Sequence, residues 1–137
     1  MTGIPEGYST KPGFDAAEDH IGPFYYCESD KSRYAFVSRK QNGNVEGIVH
    51  GGVLMTFADF ALCMAATDHY QLENCVTVSF SSDFVSAAPV GELVEAIVQV
   101  TRKTRSLAFV TGRLVCKDEI VMTFSSVVKR LIDRGAT

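Results

Sequence analysis

The spacing of hydrophobic residues changes twice along the chain. Two aromatic-rich stretches, Phe24 to Cys27 and Tyr34 to Ser38, have the composition of β-strands. From Ile48 to Thr67 the hydrophobic residues instead recur with the 3.6-residue period of an α-helix. Strand patterns then return in four stretches, which are Val76 to Val85, Leu93 to Thr101, Leu107 to Cys116 and Ile120 to Val128. The pattern therefore predicts two strands, one long helix and four strands.

Short connections limit how these elements can be arranged. Only a few residues join each of the last four predicted strands to the next, so we expect antiparallel neighbours. A single helix must bury its hydrophobic face against the concave side of such a sheet. The predicted fold class is therefore α+β, with a long central helix wrapped by a curved antiparallel sheet of about five to six strands.

The length of the chain fits one domain that spans residues 1–137. Residues 1–20 are predicted to be an irregular N-terminal lead-in, because several glycines and prolines fall there. Within it, Phe14 to His20 could form a short helical turn.

The predicted helix is hydrophobic on nearly every side. Its main stripe includes Leu54, Phe57 and Ala61, and the opposite side carries Phe60 and Met64. One sheet does not cover every side of a helix, so we expect a second subunit to cover the rest. The sequence therefore predicts an oligomer.

Asp59 is the only charged residue between Gly51 and Thr67. Its direction on the helix is roughly 130° from the centre of the hydrophobic stripe, away from the sheet and toward a partner subunit. Burying an unpaired carboxylate is unfavourable, so natural helices rarely keep one without a partner or a task. Two alternatives stay open: a partly desolvated catalytic carboxylate, or an Asp that faces solvent or pairs with Arg39 or Arg105.

The sequence His50-Gly51-Gly52 begins the helix. The first turn of a helix presents backbone N–H groups without internal partners, and glycine lets a ligand approach them closely. Such an amide can stabilise an oxyanion, although tight packing or a sharp turn would explain the two glycines more simply. Asp59 lies about 12 Å from Gly51 along the helix, too far to act on the same carbon within one subunit. Two antiparallel helices from neighbouring subunits could bring the two groups together.

The net charge of -3 gives no general reason to expect a nucleic-acid partner. The charged residues are, however, unevenly distributed along the chain. Residues 1–99 carry 5 Lys/Arg and 13 Asp/Glu, whereas residues 100–137 carry 8 and 3. The basic C-terminal third could hold a phosphate-bearing small molecule or consist of solvated side chains. The cationic candidates are Arg102, Lys103 and Arg105 at one predicted hairpin, and Lys129, Arg130 and Arg134 farther along.

The four cysteines stand far apart in the sequence and form no Cys-x-x-Cys pair. Residues 1–11 contain no hydrophobic run of the kind found in a signal peptide. Reduced thiols and a cytoplasmic location are the expectation, rather than a disulfide or zinc framework. The central charge of Asp59 and the two glycines argue against a transmembrane helix.

Taken together, these residues resemble the phenylacetate-degradation type of hotdog-fold acyl-coenzyme A (CoA) thioesterase. The match is Asn44-x-x-Gly47-x-x-His50-Gly51-Gly52, followed by Asp59 seven residues after the last glycine. The resemblance extends from about Phe24 to Leu131 and includes the hairpin from Lys103 to Phe109. One departure is the turn at 117–119, which lacks the glycine that relatives often have, so the shape of that hairpin is an open question.

The resemblance implies a role for each matched residue. Asp59 would be the general base or nucleophile, and the Gly51 amide would bind the thioester oxygen. Asn44 would orient substrate or water, with Asn42 as a nearby alternative, and Thr77 would supply a hydroxyl that holds the water. The further substrate-binding candidates are His50, Gly52, Arg102, Lys103 and Arg105, of which His50 is usually structural in this family.

The same resemblance implies sites between subunits of a homo-oligomer, a dimer or a dimer of dimers, which would be a homotetramer. It implies no metal and no cofactor besides the acyl-CoA substrate. The sequence does not identify the acyl group of the substrate, since Phe57, Phe60 and Phe84 could line its pocket or belong to the core. Membrane and nucleic acid are not expected partners.

Two rival functions fit the same residues less well. A hotdog enoyl-thioester hydratase or dehydratase would need a His base paired with an acid, which the sequence does not show. A non-catalytic acyl-CoA binding or sensor module fits less well, because Asp59 is present and residues 1–20 are too short for a helix-turn-helix. Weaker possibilities are a thiol nucleophile, Cys63 or Cys75 with His69, and a metal site at Asp15, Asp19 and His20.

Overall fold

The structure is a computed structural model that describes residues 3–132. Its elements, in chain order, are β1 (Tyr8–Ser9), α1 (Ala16–Ile21), β2 (Tyr25–Cys27), β3 (Asp30–Val37), a 3-10 turn (Lys40–Asn42), α2 (Gly51–Ala66), β4 (Glu73–Phe84), β5 (Leu93–Lys103), β6 (Leu107–Cys116) and β7 (Glu119–Ile132). The long helix and the four strands after it confirm the α+β prediction.

The strands form one antiparallel sheet in the order β1-β2-β3-β5-β6-β7-β4. Helix α2 connects β3 to β4 and contacts each strand from β3 to β7, so it lies across the concave face. This arrangement is the predicted hotdog fold. The sheet has seven strands rather than five or six, because Tyr8–Ser9 of the expected irregular lead-in pairs with Tyr26 and Cys27.

The prediction that a second subunit covers the outer side of α2 needs correction, because the chain covers most of that side itself. The main stripe packs on the sheet as predicted, and Leu54, Phe57 and Ala61 are buried. Phe60 and Met64 on the other side are buried too, although only one subunit is present. The N-terminal segment covers them, since the Phe24 ring lies 5.4 Å from that of Phe60. Only a narrow outer strip of α2, which includes Gly52 and Met55, is exposed.

Local chemistry defines both ends of α2. The His50 side chain caps the helix by accepting a hydrogen bond from the Gly52 amide. At the other end the Thr67 hydroxyl donates to the Cys63 carbonyl. Three consecutive residues, 68–70, then adopt left-handed backbone angles, which a helix does not continue through. This reversal leads the chain into β4 alongside the helix.

The β6–β7 hairpin turns tightly without a glycine. Cys116 pairs with Glu119, and both turn residues, Lys117 (φ 53°) and Asp118 (φ 66°), are left-handed. Two-residue turns with two positive φ angles usually have glycine at the second position, since side chains are strained there. The departure from the family pattern therefore leaves the hairpin closed but strained.

Replacing Asp118 by glycine is expected to raise the free energy of unfolding by about 0.5–1 kcal/mol, because the strain at a left-handed residue is relieved. Urea unfolding of wild type and Asp118→Gly would measure this. Glu119→Gly is the matched control, since Glu119 lies in a strand and glycine there should destabilise. An Asp118→Gly variant no more stable than wild type would contradict the expectation.

Candidate active site

The Asp59 carboxylate is half-buried and held by neighbours on two elements. The Thr77 hydroxyl of β4 donates a hydrogen bond of 2.6 Å to Oδ1, and the Cys63 thiol of α2 donates to the same oxygen at 3.9 Å. The Cys63 sulfur also lies 3.5 Å from the Thr77 hydroxyl oxygen. The Thr77 hydroxyl donates its only hydrogen to Asp59, and its oxygen can still accept a hydrogen bond from water.

An open cleft of about 550 Å³ borders this carboxylate, and we call it the Asp59 cleft. Its walls come from three segments: the N-terminal lead-in with α1, the outer side of α2, and the start of β4. The lining includes Glu18, Asp59, Cys63, Tyr70, Cys75 and Thr77. A substrate in this cleft would reach the carboxylate of Asp59 directly.

Glu18 is a second acidic residue of the Asp59 cleft, and sequence reasoning missed it. Burial, followed by the nearby carboxylates of Asp15, Asp59 and Asp19, raises the pKa of Glu18 to about 7. No local sequence pattern signals this position, because α1 is short and only the tertiary fold brings it to α2. The cleft wall therefore carries a carboxyl that is partly protonated near neutral pH.

Replacing Glu18 by glutamine is expected to stabilise the protein above pH 7 and to change little below pH 4.5. The folded-state pKa lies above the usual value of 4.5, so wild type loses stability as pH rises from 4.5 to 7. Glu18 is partly exposed, and with solvent screening we expect a gain of about 1 kcal/mol. Urea unfolding of both proteins at about pH 5 and about pH 8 tests this. A difference that does not grow with pH would contradict it.

A second cleft, of about 310 Å³, lies at the start of α2, and we call it the Gly51 cleft. Its lining includes Asn44, Gly51 and Phe84. Within residues 3–132, the Gly51 amide has no hydrogen-bond acceptor, whereas the Gly52 amide is bound by His50. The free donor at this helix end is thus Gly51 rather than Gly52, and His50 acts as the cap.

The two candidate asparagines have different positions. Asn42 is buried, and its side chain accepts from the Arg39 amide and donates to the Ile21 carbonyl, so it ties the loop to α1. Asn44 is exposed in the Gly51 cleft, where its side-chain oxygen accepts from the Glu46 amide. Asn44 is therefore the asparagine that a ligand at Gly51 could contact.

The structure brings the matched residues together as two pairs. Asp59 contacts Thr77 in one cleft, and Gly51 and Asn44 share the other. The two clefts share no lining residue, as expected from the length of helix between them. One subunit therefore holds the two pairs of matched residues in separate clefts.

The basic candidates separate into paired and solvated side chains. Lys103 binds Glu73 at 3.2 Å, and Arg130 binds the same carboxylate through two nitrogens. Arg102, Arg105 and Lys129 are exposed, and Arg134 lies outside the described residues. The Lys103 ion pair attaches β4 to the end of β5, and the Arg130 ion pair attaches β4 to β7, which gives both residues a structural task.

Several alternatives are excluded by the contacts. Neither arginine pairs with Asp59: Arg39 donates to backbone carbonyls, including that of Gly22, and Arg105 is exposed. His69 is buried against Tyr34, with its Nε2 3.3 Å from the phenol oxygen, and does not line the cleft that holds the two thiols. Phe57 and Phe60 belong to the core, whereas Phe84 is exposed at the Gly51 cleft.

Two of the three residues considered as a metal site, Asp15 and Asp19, instead accept hydrogen bonds from nearby backbone amides. The Asp15 side chain accepts from the Glu18 amide, and that of Asp19 accepts from the Gly13 amide. No group of three metal-ligating side chains occurs within the part of the chain that the structure describes. In that same part, no helix is long and hydrophobic enough to cross a membrane.

Comparison with known proteins gives one family and many solved structures. The family described as Thioesterase superfamily matches residues 46–123, more than half of the chain. The PaaI protein of the E. coli phenylacetic acid degradation operon superposes with a TM-score of 0.72 at 19% identity, over 86% of either chain. A thioesterase from Haemophilus influenzae gives 0.76 at 11% identity, over 89% of this chain and 88% of that one.

A third solved structure is the smu.793 protein of Streptococcus mutans, which is bound to acetyl CoA. It has a TM-score of 0.68 and 14% identity, and the alignment covers 74% of this chain and 82% of that one. At such identities the likeness to these structures shows the fold. Among curated protein sequences the chain has no significant match.

Proposed function

The chain belongs to the thioesterase superfamily and is a thioester hydrolase, and we propose that it cleaves an acyl-CoA to the free acid and CoA. The observation that carries this proposal is the half-buried Asp59 carboxylate, held by the Thr77 hydroxyl at the wall of an open cleft. The acetyl CoA bound to the Streptococcus mutans protein supports a CoA ester as the substrate.

In the proposed reaction, Asp59 removes a proton from a water molecule that the Thr77 oxygen orients. The resulting hydroxide adds to the thioester carbon, while the Gly51 amide of a neighbouring subunit stabilises the oxyanion. The carbon–sulfur bond then breaks, the thiolate takes the bonding electrons and a proton, and the acid is released. A direct attack by Asp59, which would form an acyl-Asp59 anhydride, is the alternative. Heavy oxygen from water in the Asp59 carboxylate after a single turnover would demonstrate this route, because a general base never exchanges its oxygens with the substrate water.

Assembly completes the site in this proposal. Strand β4 is 12 residues long and lies at the edge of the sheet, and its outer side chains include Val76 and Val78, which are 46% and 57% exposed. Exposed hydrophobic edge strands favour pairing with another chain. A dimer formed through β4 and the outer strip of α2, alone or doubled to a homotetramer, would bring Asp59 of one copy to Gly51 of the other.

Mixing two inactive variants is expected to restore about a quarter of wild-type activity, if each site takes one residue from each subunit. Asp59→Asn and Gly51→Pro protomers, dissociated and reassembled together, form mixed dimers in which one of two sites is intact. Thiol release before and after mixing measures this. If both groups acted within one chain, mixing would restore nothing, and re-mixing each variant with itself is the control.

The CoA phosphates need cations near the site mouth. Arg102 and Arg105 are exposed, and we assign them this contact in preference to Lys103, whose charge is partly neutralised by Glu73. Arg102 and Arg105 have no ion-pair partner among residues 3–132, and such a hairpin suits phosphate binding because the planar fork of arginine binds phosphate oxygens in pairs.

A thiol-release assay over short, long and aryl acyl-CoA esters tests the function. We expect release of free CoA from at least one class and none from the Asp59→Asn variant. A crotonyl ester distinguishes the rival enzyme, since a hydratase consumes the double bond without freeing thiol. Saturable binding of acyl-CoA without release from any ester would instead indicate a binding module and would overturn the proposal.

A further inference from the structure

Two thiols meet in the Asp59 cleft. Cys63 comes from α2 and is 7% exposed, while Cys75 comes from β4 and is half-buried at the cleft wall. The Cys63 sulfur lies 3.5 Å from the Thr77 hydroxyl oxygen, and Cys75, two residues before Thr77, is on the same face of β4, so both thiols face the same part of the cleft. All four cysteines are free; Cys27 and Cys116 lie on other strands and do not line the cleft.

The environment makes the two thiols unequal. The neighbouring Cys63 thiol is the largest influence and lowers the pKa of Cys75, and the Tyr70 hydroxyl contributes in the same direction. The proximity of Cys75, followed by burial, raises the pKa of Cys63. Thiolates rather than thiols react with electrophiles. Cys75 is therefore the accessible and more reactive member, and Cys63 is the buried partner that keeps its hydrogen.

Cys63 also touches the groups proposed to act on the substrate. Its thiol donates to the Asp59 carboxylate at 3.9 Å and lies 3.5 Å from the Thr77 hydroxyl. Any covalent change at Cys63 therefore alters the immediate surroundings of that carboxylate.

We propose that Cys63 and Cys75 form a peroxide-sensitive pair that closes to a disulfide and suppresses hydrolysis; the effect on hydrolysis rests on the proposed function. The Cys75 thiolate attacks one oxygen of hydrogen peroxide, the O–O bond breaks, and the hydroxide released takes a proton to become water. The Cys63 sulfur then attacks the Cys75 sulfenic acid, and the hydroxyl leaves with the Cys63 proton as a second water. The two thiols together lose two electrons and two protons, and the peroxide is reduced to two waters.

The disulfide removes the hydrogen that Cys63 donates to Asp59 and fixes α2 to β4 beside the carboxylate. Small displacements of a reacting group lower rates strongly, so we expect a loss of about 10-fold to 100-fold. A reductant should restore the activity, because a disulfide, unlike higher sulfur oxides, is readily reduced.

The test exposes the purified full-length protein to hydrogen peroxide and follows two readouts. Intact mass and peptide mapping should show the loss of two hydrogens and a link between residues 63 and 75. Thiol release from an acyl-CoA should fall in parallel and recover with dithiothreitol. Cys75→Ser should keep its activity in peroxide, and Cys116→Ser, the matched control, should lose it as wild type does, each relative to its own reduced form.

The two readouts keep the proposals separate. Peptide mapping uses the wild-type protein, so its result does not depend on whether a variant folds. If the peroxide-treated protein lacks the link between residues 63 and 75, the proposed disulfide is wrong. A linked protein that hydrolyses as fast as the reduced one overturns the suppression. If the reduced protein releases thiol from no acyl-CoA, the proposed function fails while the mapping still decides whether the pair exists.

Discussion

Replacing Asp59 by asparagine is expected to lower kcat by about 10²–10⁴-fold or more, because the amide cannot accept a proton or attack carbon. The fold should survive, since Asp59 is half-buried and an asparagine oxygen can still accept the hydrogen bond from Thr77. Thiol release under saturating substrate measures the loss, and circular dichroism and urea unfolding check the fold.

The control for Asp59→Asn is Asp83→Asn, which removes the same charge from an exposed position on β4. It should turn over substrate at a rate close to wild type. The alanine variant gives the sharpest refutation: an Asp59→Ala enzyme that keeps at least about a tenth of the wild-type rate would overturn the assignment of the carboxylate.

Replacing Gly51 by proline is expected to lower kcat by about 10²–10³-fold, because it deletes the single N–H proposed to stabilise the oxyanion. The position suits the change structurally. Gly51 is the first residue of α2, where proline is favoured, and His50 before it has ψ 137°, which proline also requires. A Cβ at Gly51 would come within 3.1 Å of the Phe84 ring, an exposed side chain with room to move.

The Gly51→Ala variant distinguishes the effect of losing the Gly51 N–H from the effect of adding a side-chain carbon. It meets the same Phe84 ring but keeps the N–H, so it should retain most of its activity where the proline variant does not. Equal losses in the two variants would assign the effect to crowding at the ring. Full activity in Gly51→Pro would remove this amide from the mechanism.

The fold was predictable because the patterns that carry it are long and periodic. The helix from Gly51 to Ala66 and strands β5 to β7 bury regularly spaced hydrophobic residues, and β4 alternates half-buried with exposed positions. The two-residue strand Tyr8–Ser9 has no such face. Its only signature is backbone pairing with β2, which a sequence pattern does not report.

The site was predictable only as far as the matched motif extends. Asp59 and Thr77 are in contact, Glu18 joins them only through tertiary packing, and Cys63 joins them because it lies one helical turn after Asp59, outside the matched motif. Lys103 shows a different limit, since the sequence shows its charge but not the Glu73 carboxylate that binds it in the fold. The oligomeric state and the cytoplasmic location stay predictions.

The length of rigid helix between Gly51 and Asp59 also links turnover to the amount of enzyme present. In the proposed assembly a lone protomer holds one half of two different sites and completes neither. Specific activity would then fall on dilution, once the protein concentration drops below the dissociation constant of the dimer. In that range the total rate would increase more steeply than linearly with protein concentration. A cell could thus adjust hydrolysis sharply through modest changes in expression.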